Sequence, residues 1–128
     1  AFGFVTMGKL CIRSQKLARD NINVYLREIQ PYTSEQQPSN SSTTSTITNF
    51  MVRNNALMIL SDFCIRYTNL IERHIETIAI SLQDPSIVIR RHTLILLFVI
   101  TIYRTKKFQM QLLFLIQQEK TVNILIRN

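Results

Sequence analysis

Val52-Arg-Asn-Asn-Ala-Leu-Met-Ile-Leu-Ser-Asp-Phe-Cys-Ile-Arg-Tyr-Thr-Asn-Leu70 is the stretch that decides the fold. Its apolar residues Val52, Ala56, Ile59, Leu60, Phe63 and Cys64 recur at three- and four-residue spacing, which places them on one face of a helix. Its wording also recurs. Leu10-Cys11-Ile12-Arg13 answers Phe63-Cys64-Ile65-Arg66 at an offset of 53. At that same offset Leu17 meets Leu70, Ile22 meets Ile75, Tyr25 meets Ile78 and Ile29 meets Leu82. Both arms of a helical hairpin therefore repeat. A second offset, 37, sets Val52-Arg53 on Ile89-Arg90, Ala56-Leu57 on Thr93-Leu94 and Ile59-Leu60 on Leu96-Leu97.

Outward from that stretch the chain reads as helices with short connections. A first helix starts at Phe2 with a stripe of Phe2, Val5, Leu10 and Ile12, loosened by Gly3 and Gly8. A second runs from about Leu17 to Ile29, with Leu17, Ile22, Tyr25, Leu26 and Ile29 inward, and stops at Pro31. A third covers about Thr48 to Tyr67, and a fourth about Leu70 to Leu82. Asp84-Pro85-Ser86 then breaks and restarts the chain, with Asp84 as a cap and Pro85 in a first turn. A fifth helix follows from about Ser86 to Tyr103, and a last begins near Phe108. Residues 33–48 stand apart: ten of the sixteen are Ser or Thr, and no apolar residue occurs before Ile47. Such a segment has nothing to bury and reads as a solvated loop. Its length equals the difference between the two offsets, so it is an insertion between hairpins. An offset of 37 lies near the ~40-residue period of HEAT arrays, in which insertions map to loops on one face.

Composition supports an all-α chain: 128 residues hold 46% hydrophobic residues, but only two Gly and three Pro. A fold of many strands needs more turn residues than that. The net charge of +7 is uneven, with +3 in residues 1–30, −1 in 31–50, +1 in 51–92 and +4 in 93–128. A basic balance favours polyanionic partners, although no block of five like charges occurs. Cys11 and Cys64 lie in apolar helical runs with no CxxC or clustered His, which argues for buried thiols in a reducing compartment rather than a metal site. The Asn40-Ser41-Ser42 sequon would then go unused. The apolar run Thr93–Tyr103 is too short to cross a bilayer. No signal peptide is read, and the start without Met suggests part of a larger array. No phosphate loop, paired-carboxylate signature or nucleophile motif is present. His74 sits beside Glu72 and Glu76 on a charged helical face, Ser61-Asp62 lacks a matching His, and Asp62 is expected to meet a buried partner at the repeat interface.

The residues Val52–Leu70, with Leu82-Gln-Asp-Pro85 and Arg90-Arg-His-Thr-Leu-Ile-Leu-Leu97, resemble the HEAT block of the condensin non-SMC subunits. Asp-Phe-Cys-Ile-Arg-Tyr67 and His-Thr-Leu-Ile-Leu-Leu97 are closer to the larger HEAT subunit of condensin II than to its condensin I counterpart. Phe4-Val-Thr-Met-Gly-Lys-Leu-Cys11 is similar to the preceding repeat. The resemblance covers roughly residues 1–30 and 50–97. After Leu97, where that family continues with an acidic helix and a Trp-containing element, this chain reads Phe98-Val-Ile-Thr-Ile-Tyr-Arg-Thr-Lys-Lys107. The match is therefore expected to end at Leu97.

The expected fold is an α-solenoid of HEAT-type antiparallel hairpins, an ARM/HEAT superhelix. Its parts are a partial repeat at 1–30, the insertion at 31–49, repeats at 50–104 and a divergent C-terminal helix at 105–128. The resemblance implies a non-catalytic scaffold, with no cofactor or small-molecule substrate, in mitotic and meiotic chromosome condensation. Its implied partners are the kleisin and SMC ATPase subunits and DNA or chromatin, in the nucleus on chromosomes, with no membrane. Arg53 and Arg90 hold equivalent repeat positions and are expected to pair with an Asp such as Asp84 or with helix-end carbonyls. Arg91, Arg104, Lys106 and Lys107 are the candidates for DNA-phosphate contacts. The alternatives are another α-solenoid adaptor, for example in nuclear transport, and a piece that does nothing alone.

Overall fold

The computed structural model describes residues 2–31 and 43–127, and across these the chain is built of helices. The helices are α1 (Phe2–Arg13), α2 (Gln15–Glu28), α3 (Thr43–Arg66), α4 (Thr68–Glu72), α5 (Ile75–Ala79) and α6 (Ile87–Arg127), with a 3₁₀ turn at Ile80–Gln83 before α6. Helices α1 and α2 form one hairpin, turned at Ser14, whose hydroxyl accepts the Leu17 N–H at 3.4 Å as an N-cap. The second hairpin pairs α3 with a return arm made of α4, α5 and the 3₁₀ turn. Helix α3 is central, packing against α1 and α2 on one side and against α4 and α6 on the other.

The stacking carries the repeat into space. Polar contacts between neighbouring layers join residues 55, 52 and 38 positions apart, nearly the offsets seen in the sequence, around an aromatic cluster that crosses between arms. Tyr25 and Phe63 stack edge-on with ring centres 5.6 Å apart, and Phe4 joins them at 4.9 Å from Tyr25. His92 Nδ1 meets Asn54 Oδ1 at 2.7 Å, and the Tyr67 hydroxyl donates to Ile12 O at 2.7 Å. Ser81, buried, donates its hydroxyl to Ile29 O at 3.0 Å. Equivalent parts of successive repeats thus lie side by side, as the all-α solenoid reading requires. One core unites them, centred on Tyr25, Leu57, Leu60, Phe63, Ile71 and Leu96. Burying each large apolar side chain contributes roughly 1.5–3 kcal/mol.

Several expectations are corrected. In α1 the inward face carries Phe4, Gly8 and Cys11, whereas Leu10 is 49% exposed. Gly8 does not loosen the helix; it lets α1 approach α3, because a Cβ there would sit 2.7 Å from Ile59. In α2, Ala18 is buried and Leu17 is exposed, one residue round the helix from the inward stripe. Helix α3 begins at Thr43 rather than Thr48, so the Ser/Thr-rich stretch is helical from there on. The rest of that stretch, with the Asn40 sequon, lies outside the described residues. The return arm is three short segments instead of one helix. Pro85 precedes α6 instead of sitting in its first turn: Asp84 Oδ1 accepts the Ser86 N–H at 2.8 Å, and the helix starts at Ile87. Asp62 is exposed rather than buried at an interface. The two helices expected after Ser86 are one helix of 41 residues. No Gly or Pro interrupts it, and paired lysines at 106 and 107 are good helix formers.

Candidate functional site

The joint between the second hairpin and α6 is held by charge. Asp84 is wholly buried, and its Oδ2 lies 2.7 Å from Arg53 Nη1, whose side chain is 11% exposed. The pair is close but off the hydrogen-bond line, so Oδ2 has a charge partner without an aligned donor, and Arg53 Nε has none. Arg90 turns back from α6 and donates Nη1–H to the carbonyls of Asp84, at 2.7 Å, and Pro85, at 3.0 Å. The two repeat-equivalent arginines therefore converge on one turn from opposite sides. Each does structural work there: Arg53 neutralises the buried carboxylate, and Arg90 ties off carbonyls that the turn leaves unpaired.

The cysteines are equally structural. Cys11 and Cys64 are both free and buried. Burial, with the nearby Glu72 charge, pushes the Cys64 thiol up to about 11. Burial also raises Cys11, and pushes Tyr25 up to about 12 with a smaller contribution from Cys11. Thiols held this firmly in the neutral form are poor nucleophiles. Among the described residues no group of three or more His, Cys, Asp and Glu could hold a metal ion, and no helix is long and apolar enough to cross a membrane.

The four candidate phosphate contacts do not form one patch. All are exposed and all lie on α6. At about 100° per residue, Lys106 and Lys107 share a face with Tyr103 and Met110, while Arg91 and Arg104 fall about 110° to either side of it. Lys106 and Lys107 instead line a cleft of about 590 Å³ where the turns of both hairpins meet α6. Arg66 joins them there, with Tyr67, Tyr103 and Met110 as walls. Asn69, also in the lining, accepts from Lys107 Nζ at 2.7 Å and fixes its direction. Gln15 and Thr68 complete the rim, so the cleft is lined by three cations and no carboxylate. Arg66 escapes a sequence reading because only the stacking brings the end of α3 against a residue 40 positions later. Its signal was present as the Cys-Ile-Arg triplet, but that marked a repeat and not a site.

Comparison with known proteins gives this architecture a family. The family described as non-SMC mitotic condensation complex subunit 1 matches residues 51–121. The match runs well past Leu97, which corrects the expectation that it ends there. Among curated proteins, the chain is 32% identical over 97 residues to Condensin-2 complex subunit D3-L of Xenopus laevis, covering 76% of this chain and 6% of that protein. It is 34% identical over 97 residues to Condensin-2 complex subunit D3 of Mus musculus, covering 76% and 5%. Against Condensin-2 complex subunit CAP-D3 of Arabidopsis thaliana it is 33% identical over 94 residues, covering 73% and 6%. The chain thus spans only about 5–6% of the length of these relatives. No solved structure matches it. With stacked helical hairpins and a family match over more than half of its length, the chain belongs to the family of non-SMC mitotic condensation complex subunit 1, and its similarity there is to the condensin-2 D3 subunits.

Proposed function

We propose that this chain is a non-catalytic scaffold segment of a condensin subunit, acting in mitotic and meiotic chromosome condensation. The observation that carries the reading is the stack of hairpins, of which the second and α6 carry the family match: such a stack presents extended surfaces and holds partners. The partners proposed are the kleisin and SMC ATPase subunits, with ATP hydrolysis left to the latter, and the place of action is the nucleus, on chromosomes. DNA or chromatin is proposed to meet the exposed cations Arg91, Arg104, Lys106 and Lys107 through phosphates, without sequence preference. These cations stand on more than one face of α6, and the charge of +4 in residues 93–128, which hold Arg104, Lys106 and Lys107, supports the reading.

The scaffold reading is tested in the assembled complex. Asp84→Ala, which dismantles the joint between the second hairpin and α6, should lower recovery of the kleisin with the subunit. Full recovery with a demonstrably loosened joint would remove this segment from assembly. The DNA reading is tested by duplex binding at two salt concentrations. Reversing Arg91 and Arg104 should weaken binding and flatten its salt dependence, since each lost phosphate contact removes one released counterion. An unchanged salt slope would set those cations aside.

A further inference from the structure

The cleft between the two hairpin turns and α6 has a character that phosphate contacts alone do not use. Arg66, Lys106 and Lys107 bring three positive charges to one hollow of about 590 Å³, and Tyr67, Tyr103 and Met110 give it apolar walls. The hollow is open to solvent on one side, so a ligand would lie along it as in a groove. Its frame is tied at two points. The Tyr67 hydroxyl is anchored to Ile12 O at 2.7 Å, tying the turn after α3 to the end of α1, and Lys107 is anchored to Asn69 at 2.7 Å. One of the three ammonium donors of Lys107 is thereby used, which leaves two for a ligand.

We propose that this cleft is a docking site for an acidic peptide segment of a partner protein, its carboxylates held by Arg66, Lys106 and Lys107 and an apolar side chain laid against Tyr103 and Met110. The proposal rests on the reading of the chain as a scaffold that holds protein partners, and it names the chemistry of one such partner. Charge complementarity selects an anion. The apolar walls select a peptide over a duplex, which presents phosphates and no apolar side chains to a surface and is too broad to enter a hollow of this size. An acidic peptide supplies both features on adjacent residues, and clusters of Arg and Lys are a recurring means of recognising acidic motifs. The surface proposed for DNA and this cleft share Lys106 and Lys107 but differ in their other members. Arg66 and Tyr103 belong to the cleft; Arg91 and Arg104 lie off its face.

That difference makes the experiment decisive. A fluorescent peptide alternating glutamate and leucine, a phosphoserine counterpart and a short DNA duplex are titrated in parallel against the full chain, with helix content followed by circular dichroism. Arg66→Glu should weaken both peptides roughly tenfold or more, the loss of one charge-assisted hydrogen bond, and Tyr103→Ala should weaken the glutamate–leucine peptide several-fold. Arg66→Gln, which keeps the size and removes the charge, guards against a folding artefact and should fall between wild type and Arg66→Glu. Arg91→Glu and Arg104→Glu should leave both peptides unaffected and weaken the duplex. If neither peptide binds the wild-type chain, or if Arg66→Glu leaves peptide affinity unchanged, the proposal is overturned. Parallel loss of duplex and peptide with Arg66→Glu would also overturn it, by making the cleft part of a nucleic-acid surface. Failure of the scaffold reading shows separately, as full kleisin recovery with Asp84→Ala, an outcome independent of these affinities.

Discussion

Asp84 concentrates the energetics of the joint in one carboxylate. Removing one partner of a buried ion pair leaves the other uncompensated, so Asp84→Ala should destabilise the chain by about 3–5 kcal/mol in urea denaturation. Replacing both partners with apolar residues, Arg53→Met with Asp84→Leu, should recover most of that loss, leaving mainly the missing Ser86 cap of about 1 kcal/mol. The glycines give a paired contrast. Gly3 has open space where a Cβ would go, whereas at Gly8 the same Cβ would meet Ile59 at 2.7 Å. Gly3→Ala should therefore stabilise by up to about 1 kcal/mol through helix propensity, and Gly8→Ala should cost about 1–3 kcal/mol through overpacking. Thermal melts with opposite shifts check the pair; a stabilising shift from Gly8→Ala would show that α1 does not lean on α3 at Gly8. The titrating groups set an alkaline limit. Cys64 is raised from 9.0 to about 11, and Tyr25 from 10.0 to about 12, chiefly by burial. A raised acid holds its proton more tightly when folded, so its contribution is complete below the unfolded value and is lost as pH climbs through the folded one. Stability should fall between about pH 9 and 12, as followed by melting temperature, and Cys64→Ala should lessen the fall across pH 9–11.

At the scale of elements, α6 divides into two regimes. Ile89, Thr93, Leu96 and Ile100 are buried, and every residue from Thr101 to Arg127 is exposed. A helix in water draws most of its stability from a packed face, and the terminal stretch has none here. Amide hydrogen exchange should be slow through Ile100 and faster by orders of magnitude beyond Phe108. Uniform protection along the helix would show that something covers its end. The return arm tells the opposite story. It is broken into α4, α5 and a 3₁₀ turn, yet Ile71, Ile78 and Ser81 are fully buried within it. Short segments keep these residues inward where one straight helix would rotate part of the set away from α3 and α6. The sequence showed the apolar set, but its interruptions at Arg73-His74 and Ile80 follow from packing, since no Gly or Pro marks them.

The whole molecule carries a continuous core on one side and a large apolar surface on the other. Phe108, Met110, Leu112, Leu113, Phe114, Leu115 and Ile116 are all more than 40% exposed along two turns of α6. Patches of this kind mark contact surfaces or association hazards. The chain alone should therefore self-associate, measured by light scattering, and Leu112→Glu with Leu115→Glu should suppress it without moving the melting temperature. A dispersed wild-type chain with a sharp cooperative melt would count against that expectation. Charge is divided between the ends of the chain, with +3 in residues 1–30 and +4 in residues 93–128.

Periodicity alone was enough for the class of fold. Three- and four-residue apolar spacing specifies helices, and repeats at offsets of 37 and 53 specify that hairpins stack, because one hairpin cannot bury its own apolar face. The pairing of Arg53 and Arg90 with the Asp84 turn was also within reach, since a carboxylate and helix-end carbonyls are the acceptors that arginines at a repeat joint require. The tertiary structure decided which residue on each face wins. Ala18 is inside and Leu17 outside, and Gly8 is a contact point, because interhelical distance and not hydrophobicity ranks side chains at a close crossing. It decided that Ser86 to Arg127 leads into one uninterrupted helix. Above all it assembled the cleft, since Arg66 and Lys106 become neighbours only when the repeats stack, and no local pattern encodes a distance between layers.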